Sequence, residues 1–494
     1  MGIIQRQSVK GLIFSYLGAV LGFVTTGILM PKFLATSEIG LIRVLVSYAS
    51  LLAQFSGLGF SIVVVKMFPY FRDAKTKDHG FMGLFLMVSL VGFLLSLVFY
   101  YLFHHFFPME PSENPMLSAY IWLVWPLTVF ILLFTIADTY YRSLFDAIKG
   151  TLMKEVWQRI FILGFLLLFV LQLFSFSIFL SFYVLAYAIP ALYLFFNLWK
   201  DKRISLKPHW AFLTKKIRKK MSHIAFFGML SSFSGILVIN IDVLMIEHYL
   251  DLNMVGIYTI TFFFGALILI PARPVTRISS IIIAESFKKN DQQDIRDIYK
   301  KSSITLLIIS VWVWVGLAVN MENIMQLIGE DYRLGYYVIL IIGLSNVLDM
   351  STSVVNQIIF NSDFYKYSSY LIGIFALLLI VSNIILLPKY GINGAAIATL
   401  FSKIVYDSLK IILVYKKLNI FPYTLKSLWP ILIGLFSFGV QLLLPVIDNY
   451  IIDIIVRSII VSVFFMIPIL LLQVSEDINS WWKKIGSHVG FRAK

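Results

Sequence analysis

Residues 240–258 read NIDVLMIEHYLDLNMVGIY: the end of one apolar stretch, a very short polar turn and the start of another. The second stretch runs on until Pro271, Arg273, Pro274 and Arg277 interrupt it. Two long apolar stretches joined this tightly read as a helical hairpin that crosses a bilayer, because one crossing takes about 20 apolar residues. Set against residues 33–44, FLATSEIGLIRV, the segment 249–260 pairs Leu34 with Leu250, Ile39 with Val255, Gly40 with Gly256 and Leu41 with Ile257 at one constant offset. The chain is expected to repeat itself.

Working outward, the whole chain has the same character. Of its 494 residues 59% are hydrophobic and 14% charged, a balance that excludes a soluble globular protein of this size. An all-α polytopic membrane protein is expected, with spans near 9–34, 38–66, 80–104, 116–140, 154–173, 176–200, 222–249, 253–284, 302–321, 335–360, 366–387, 391–416, 427–447 and 451–473. Fourteen such stretches leave no room for a soluble domain. The N-terminus has no small-residue cleavage site and leads into a full-length apolar run, so it reads as a retained first span.

The formal charge of +15 would suit nucleic-acid binding, but its distribution fits topology better. Three basic residues, Lys32, Arg333 and Lys389, fall on one set of connections, six lie within spans, and the rest occupy the alternate connections. That asymmetry predicts both termini in the cytoplasm. The basic loops lack interleaved aromatics and reader motifs, so no nucleic-acid partner is expected. The longest basic connection, with Lys-Lys-Ile-Arg-Lys-Lys at 215–220 and Trp210, Phe212 and Leu213 beside it, reads as an orientation-setting loop or as a helix on the anionic inner leaflet. It divides the chain into a first lobe, 1–205, a basic linker, 206–221, a second lobe, 222–417, and two extra helices with a tail, 418–494. The tail's Trp481-Trp482-Lys483-Lys484 reads as an interfacial anchor.

The sequence contains no cysteine, no phosphate-cradling Gly-rich loop, no zinc spacing and no nucleophile elbow, so no cofactor is expected. His104-His105 has no carboxylate nearby and carries little weight as a metal site. The outer connections are too short for an enzyme that works on sugars beyond the membrane.

Met30-Pro31-Lys32-Phe33-Leu34 through Gly40-Leu41, Gly57-Leu58-Gly59-Phe60 and Lys66-Met67-Phe68-Pro69 resemble the opening helices of the polysaccharide-exporting flippases of the multidrug/oligosaccharidyl-lipid/polysaccharide superfamily. The 242–258 hairpin is similar to that family's second-lobe opening, and the run from Leu386 to Thr399 to its late Pro-x-x-Gly-x-x-Gly-Ala-Ala hairpin. The resemblance implies fourteen helices in two pseudo-symmetric six-helix lobes around a V-shaped cavity, plus two extra C-terminal helices. It also implies transport of a lipid-linked oligosaccharide by alternating access in a bacterial inner membrane. A monomer is expected, with contacts to polysaccharide-assembly proteins left open. The drug-exporting branch bears a first-lobe acidic cation site, and Val9 to Leu34 holds no Asp or Glu. The lipid II branch has a first-span arginine that is absent here.

Arg43, Arg273, Arg277, Lys403, Lys410 and Arg457 lie within expected spans. Each costs on the order of 2.5–3.5 kcal/mol at the centre of an isolated helix, unless it meets water, a carboxylate or an anion. Arg273 and Arg277 share one face, and Pro271 and Pro274 remove backbone donors and loosen the helix before them. Paired guanidiniums can hold a diphosphate bidentately; the alternative is that both snorkel to the cytoplasmic surface. Arg43 favours a cavity role. Lys403 either faces the cavity or pairs with Asp407 one turn on, Lys410 is expected at the interface, and Arg457 is expected to snorkel outward. Asp349 is the deepest acid and a candidate for coupling, with Asn346 and Asn356 close by. Substrate binding is therefore expected at Arg43, Arg273, Arg277 and Lys403. Two rivals stand: a cation-coupled multidrug-type exporter using Asp349, and a membrane glycosyltransferase or polymerase.

Overall fold

The computed structural model describes residues 3–73, 76–106, 114–201, 205–352 and 354–488, and all regular structure among them is helical. Helices follow from the composition, since in lipid each backbone donor and acceptor must be satisfied within its own segment. Twelve helices among the described residues are long and apolar enough to cross a membrane. One of them, Tyr367–Leu418, turns back on itself at Gly391, whose φ of +58° and ψ of −144° lie outside helical space. A stretch expected as the fifth span is also helical, in the consecutive elements Ala147–Leu152, Met153–Trp157 and Gln158–Val170, and lies outside those twelve.

Three expectations change. The second span ends early: helix Thr36–Ser56 stops at a turn in which Leu58 and Gly59 have positive φ, and a separate helix, Phe60–Phe71, follows. Gly59 is needed there because a Cβ would lie 2.2 Å from the Ala225 carbonyl oxygen. The seventh helix starts earlier than expected, at Lys215, so the basic run 215–220 forms its first turns. Trp210–Phe212, in turn, is a single 3-10 turn and not a surface helix. It is docked: the Phe212 ring stacks on His79 at 4.0 Å and meets Phe71 at 5.0 Å, and Leu213 is buried. The side chains of His104 and His105 and those of Lys483 and Lys484 lie outside the described residues.

The chain divides into two compact units, Met1–Thr259 and Ile260–Lys494. In the first, helix Thr36–Ser56 packs against Val124–Ser143, Lys215–Tyr249 and Phe81–Phe106. Its core gathers Phe60, Val63, Phe68, Phe71, Phe81, Phe85 and Tyr140. In the second, helix Gln292–Val319 packs against Tyr336–Ser351, Leu428–Val440 and Tyr450–Leu471, around Leu306, Val311, Val315 and Phe465. The outward faces of these helices stay apolar: Leu90, Val91, Leu94, Leu432, Leu435, Ile455 and Ile459 are exposed.

Lipid tails are as apolar as a protein core, so helices associate in a bilayer through close packing, which favours small residues. The internal repeat uses this. A Cβ on Gly40 would lie 1.9 Å from the Leu252 carbonyl oxygen, and a Cβ on its repeat partner Gly256 would lie 1.9 Å from the Thr36 carbonyl oxygen. Thr36 and Leu252 are themselves counterparts at the same offset, so the contact is reciprocal, as across a twofold axis. The Thr36 hydroxyl donates to Asn253 Oδ1 at 2.9 Å beside it. Alanine at either glycine must push two backbones apart, at about 1–3 kcal/mol. Gly40→Ala and Gly256→Ala are each expected to lower the thermal unfolding midpoint of the purified protein. Gly164→Ala, where a Cβ meets nothing within 4 Å, is expected to leave it unchanged or raise it.

Candidate functional site

The intramembrane cations separate into two classes by their partners. Lys403 Nζ lies 2.7 Å from Asn346 Oδ1 and 3.6 Å from Asp349 Oδ2. Asn346 is fixed by donating its Nδ2 to the Gly265 carbonyl at 3.0 Å, which turns its oxygen towards the lysine. The partner of Lys403 is therefore Asp349 on a neighbouring helix, not Asp407. Asp407 instead holds Lys410 at 2.7 Å, and Lys410 is 1% exposed, which corrects the expected interfacial position. Three residues apart on one helix, the two are neighbours by geometry, and a buried ammonium needs such a partner. Arg457 does not snorkel either: it is buried, its Nε lies 2.6 Å from Asp453 Oδ2, and its Nη2 donates to the Pro445 carbonyl. Asp453 also accepts from Asn323 at 2.6 Å.

Arg43 and Arg273 form the other class: among the described residues no carboxylate lies within ion-pair distance of either. Arg43 is half-buried on helix Thr36–Ser56 and makes one long hydrogen bond, 3.4 Å, to the Ile239 carbonyl. Around it stand three phenols, Tyr183, Tyr187 and Tyr258. Tyr183 and Tyr187 are one turn apart on helix Phe176–Lys200 with rings 5.7 Å apart, and Tyr258 donates to Asp242 at 2.7 Å.

The same two tyrosines feel a second guanidinium, Arg159, which lies in the first turns of the expected fifth span and is counted above with the cytoplasmic connection before it. Arg159 Nη2 pairs with Glu155 at 2.9 Å, and its Nη1 donates to the Gly18 carbonyl of the first helix at 2.5 Å. A Cβ on Gly22 would lie 2.0 Å from that nitrogen and one on Gly18 would lie 2.6 Å from the Glu155 carbonyl oxygen. Two glycines one turn apart thus let this pair approach, Gly18 making room for Glu155 and Gly22 for Arg159. Both partner segments carry π-helical turns, Phe23–Leu29 and Met153–Trp157, which widen a helix locally and recur at functional sites. The signals in the sequence are Gly18 and Gly22 at a spacing of four, with Glu155 and Arg159 at the same spacing.

Arg273 and Arg277 follow a break. Helix Leu252–Ala266 tightens into a 3-10 turn, Leu267–Leu269, and helix Ala272–Lys289 begins after Pro271. The prolines act as expected: neither ring nitrogen can donate, and only the Ile270 and Arg273 amides close the gap, to Leu267 and Ile270. Arg273 is exposed and Arg277 half-buried. Among the described residues no cluster of His, Asp or Glu is arranged to hold a metal ion.

Comparison with known proteins bears on this arrangement. The family model "Polysaccharide biosynthesis protein" matches residues 9–272. The chain is 23% identical over 177 residues to the "Probable low-salt glycan biosynthesis flippase Agl15" of Haloferax volcanii, and the aligned stretch spans 36% of this chain and 38% of that relative's length. Among solved structures, "Lipid II flippase MurJ, inward closed conformation" superposes with a TM-score of 0.73 at 17% identity, over 93% of this chain and 97% of that one. An inward-facing multidrug resistance MATE family transporter of the MOP superfamily gives 0.59 at 13% identity, over 83% and 94%. At these identities the two structures speak for a shared fold.

The two classes of cation predict opposite responses in stability. Arg457→Ala strands the buried Asp453, and breaking a buried pair costs about 3–5 kcal/mol, so its unfolding midpoint in detergent should fall. Arg43→Ala removes a cation with no counter-charge and should leave the midpoint unchanged or raise it.

Proposed function

We propose a transport role for this chain, which belongs to the polysaccharide biosynthesis protein family within the multidrug/oligosaccharidyl-lipid/polysaccharide exporter superfamily of transporters: it flips a lipid-diphosphate-linked oligosaccharide across the membrane. The lipid is undecaprenyl, the membrane the bacterial inner membrane, and the product feeds surface polysaccharide or lipopolysaccharide synthesis. Fourteen crossings form two lobes, 1–205 and 222–417, with 206–221 as linker and 418–494 as the extra pair and tail, and both termini are cytoplasmic.

One observation carries this reading. Arg43 and Arg273 are intramembrane guanidiniums without a carboxylate partner among the described residues, whereas Lys403, Lys410 and Arg457 each have one. A guanidinium left without a counter-charge in an apolar setting is available to an anion from outside, and its planar fork fits phosphate oxygens in pairs. Arg43 in the first unit and Arg273 in the second each offer the diphosphate a contact of their own during its passage. Arg277 and Arg159 assist, and the Tyr183 and Tyr187 hydroxyls supply neutral donors that suit phosphate or sugar oxygens. Lys403 reaches substrate only when its pair with Asp349 opens, which makes that pair the candidate coupling element. Outward movement of an anion is favoured by the membrane potential by about 2.3 kcal/mol per charge per 100 mV.

An exporter of hydrophobic cations shares the fold, but these arginines would repel its cargo. A glycosyltransferase is disfavoured because the similar proteins with a named activity are flippases and transporters. The test is export of surface polysaccharide in a strain lacking its own flippase, with variants at matched expression. Arg43→Ala and Arg273→Ala should abolish export, and Arg273→Lys should restore it in part, because an ammonium keeps the charge but loses the fork. Full export by all three variants would assign those arginines to the surface and overturn the reading.

A further inference from the structure

The first unit carries a second basic feature that transport does not use. A groove of about 380 Å³ opens between helices Phe60–Phe71, Phe81–Phe106 and Lys215–Tyr249, within the volume range of small-molecule sites. Leu84, Val88, Met221 and Ala225 form its apolar wall, and Arg218 and Ser222 its polar edge. Trp210, 61% exposed, stands at the mouth.

The charge beside the groove is one-sided. Lys215, Lys216, Arg218, Lys219 and Lys220 occupy the first turns of helix Lys215–Tyr249, which has no acidic residue in its first turn. Pairs three and four apart stand next to one another on a helix, and like charges so placed destabilise it. Among the described residues none of the five takes part in an ion pair. Lys220 rests on the neutral Tyr70, 4.7 Å above its ring, and donates to its hydroxyl at 3.4 Å. An anion at this edge would relieve the repulsion.

We propose that this groove binds one anionic phospholipid, with an acyl chain along Leu84 and Val88 and the phosphate on Arg218 and Ser222. A lipid suits the groove better than a soluble anion because its wall continues onto bilayer-facing surface: Met87, Leu90, Val91 and Leu94 of the same helix are exposed. An exposed tryptophan at the mouth matches the headgroup level. Bound there, the lipid ties the linker to the first unit. Leu213 of the linker lines the groove, and the linker backbone already sits on Gly80 and Gly83, where a Cβ would lie 2.2 Å from the Lys207 and 2.5 Å from the Leu206 carbonyl oxygen. The lipid is then a stabilising ligand distinct from the transported one.

The test is native mass spectrometry of the purified full chain, titrated with phosphatidylglycerol or with phosphatidylcholine of the same chains, alongside unfolding midpoints. One phosphatidylglycerol should bind at least tenfold tighter than phosphatidylcholine and raise the midpoint. Arg218→Ala should weaken it about tenfold, the loss of one charge-assisted contact worth about 1.5 kcal/mol. Val88→Trp, which fills the groove and leaves every cation in place, should abolish it. Equal binding of the two lipids by the unmodified protein overturns the proposal even if a variant fails to fold. So does phosphatidylglycerol binding that survives Val88→Trp, which would mean charge alone, or its displacement by undecaprenyl phosphate, which would make the groove part of the transport route.

Discussion

A cation inside an apolar helical bundle must find a counter-charge, water or an anionic guest, and the arrangement of this protein follows that constraint. Three of its intramembrane basic residues meet it internally: Lys410 with Asp407, Arg457 with Asp453, and Lys403 with Asp349 and Asn346. Removing either member of such a pair leaves a buried charge uncompensated; the Lys410 and Arg457 pairs lie within one helix each, and the Lys403 pair joins two. Arg43 and Arg273 have no such partner among the described residues. Cations with an internal counter-charge and cations without one are thus told apart by their neighbours, although the residue types are the same.

Close backbone contact is the second constraint. Gly40 on Leu252 and Gly256 on Thr36 make one contact twice, once in each copy of the repeat. The fold reuses the device with a different purpose at Gly18 and Gly22, where the space left by the missing side chains receives Glu155 at the first and Arg159 at the second. There a polar side chain enters the slot and donates to a helical carbonyl that lipid could not satisfy.

Much of this was legible in the sequence because hydropathy and spacing are local properties. The apolar runs, the repeat glycines and the helix break at Pro271 and Pro274 could all be read from neighbouring residues. What escaped was non-local or depended on depth. Lys403 has Asp407 one turn away, yet tertiary packing supplies Asp349 from another helix. Arg159 lies beside a basic loop and looks like part of it, and only the meeting of its helix with the first shows its partners. Lys410 and Arg457 sit near helix ends, where snorkelling is the default, and their burial depends on neighbours that hydropathy does not register. The start of helix Lys215–Tyr249 was missed because a run of like charges reads as a loop, although straight-chain lysine and arginine are good helix formers.

The account rests on the claim that guanidiniums without an internal partner grip an anionic headgroup. Translocation by the purified protein in vesicles, comparing a diphosphate-linked glycolipid with one of equal size joined through an uncharged linkage, tests it most directly. The account predicts rapid transfer of the diphosphate form and little of the neutral one. Equal transfer of both would contradict it, and would mean that the sugar and the lipid tail are recognised while the arginines serve another purpose.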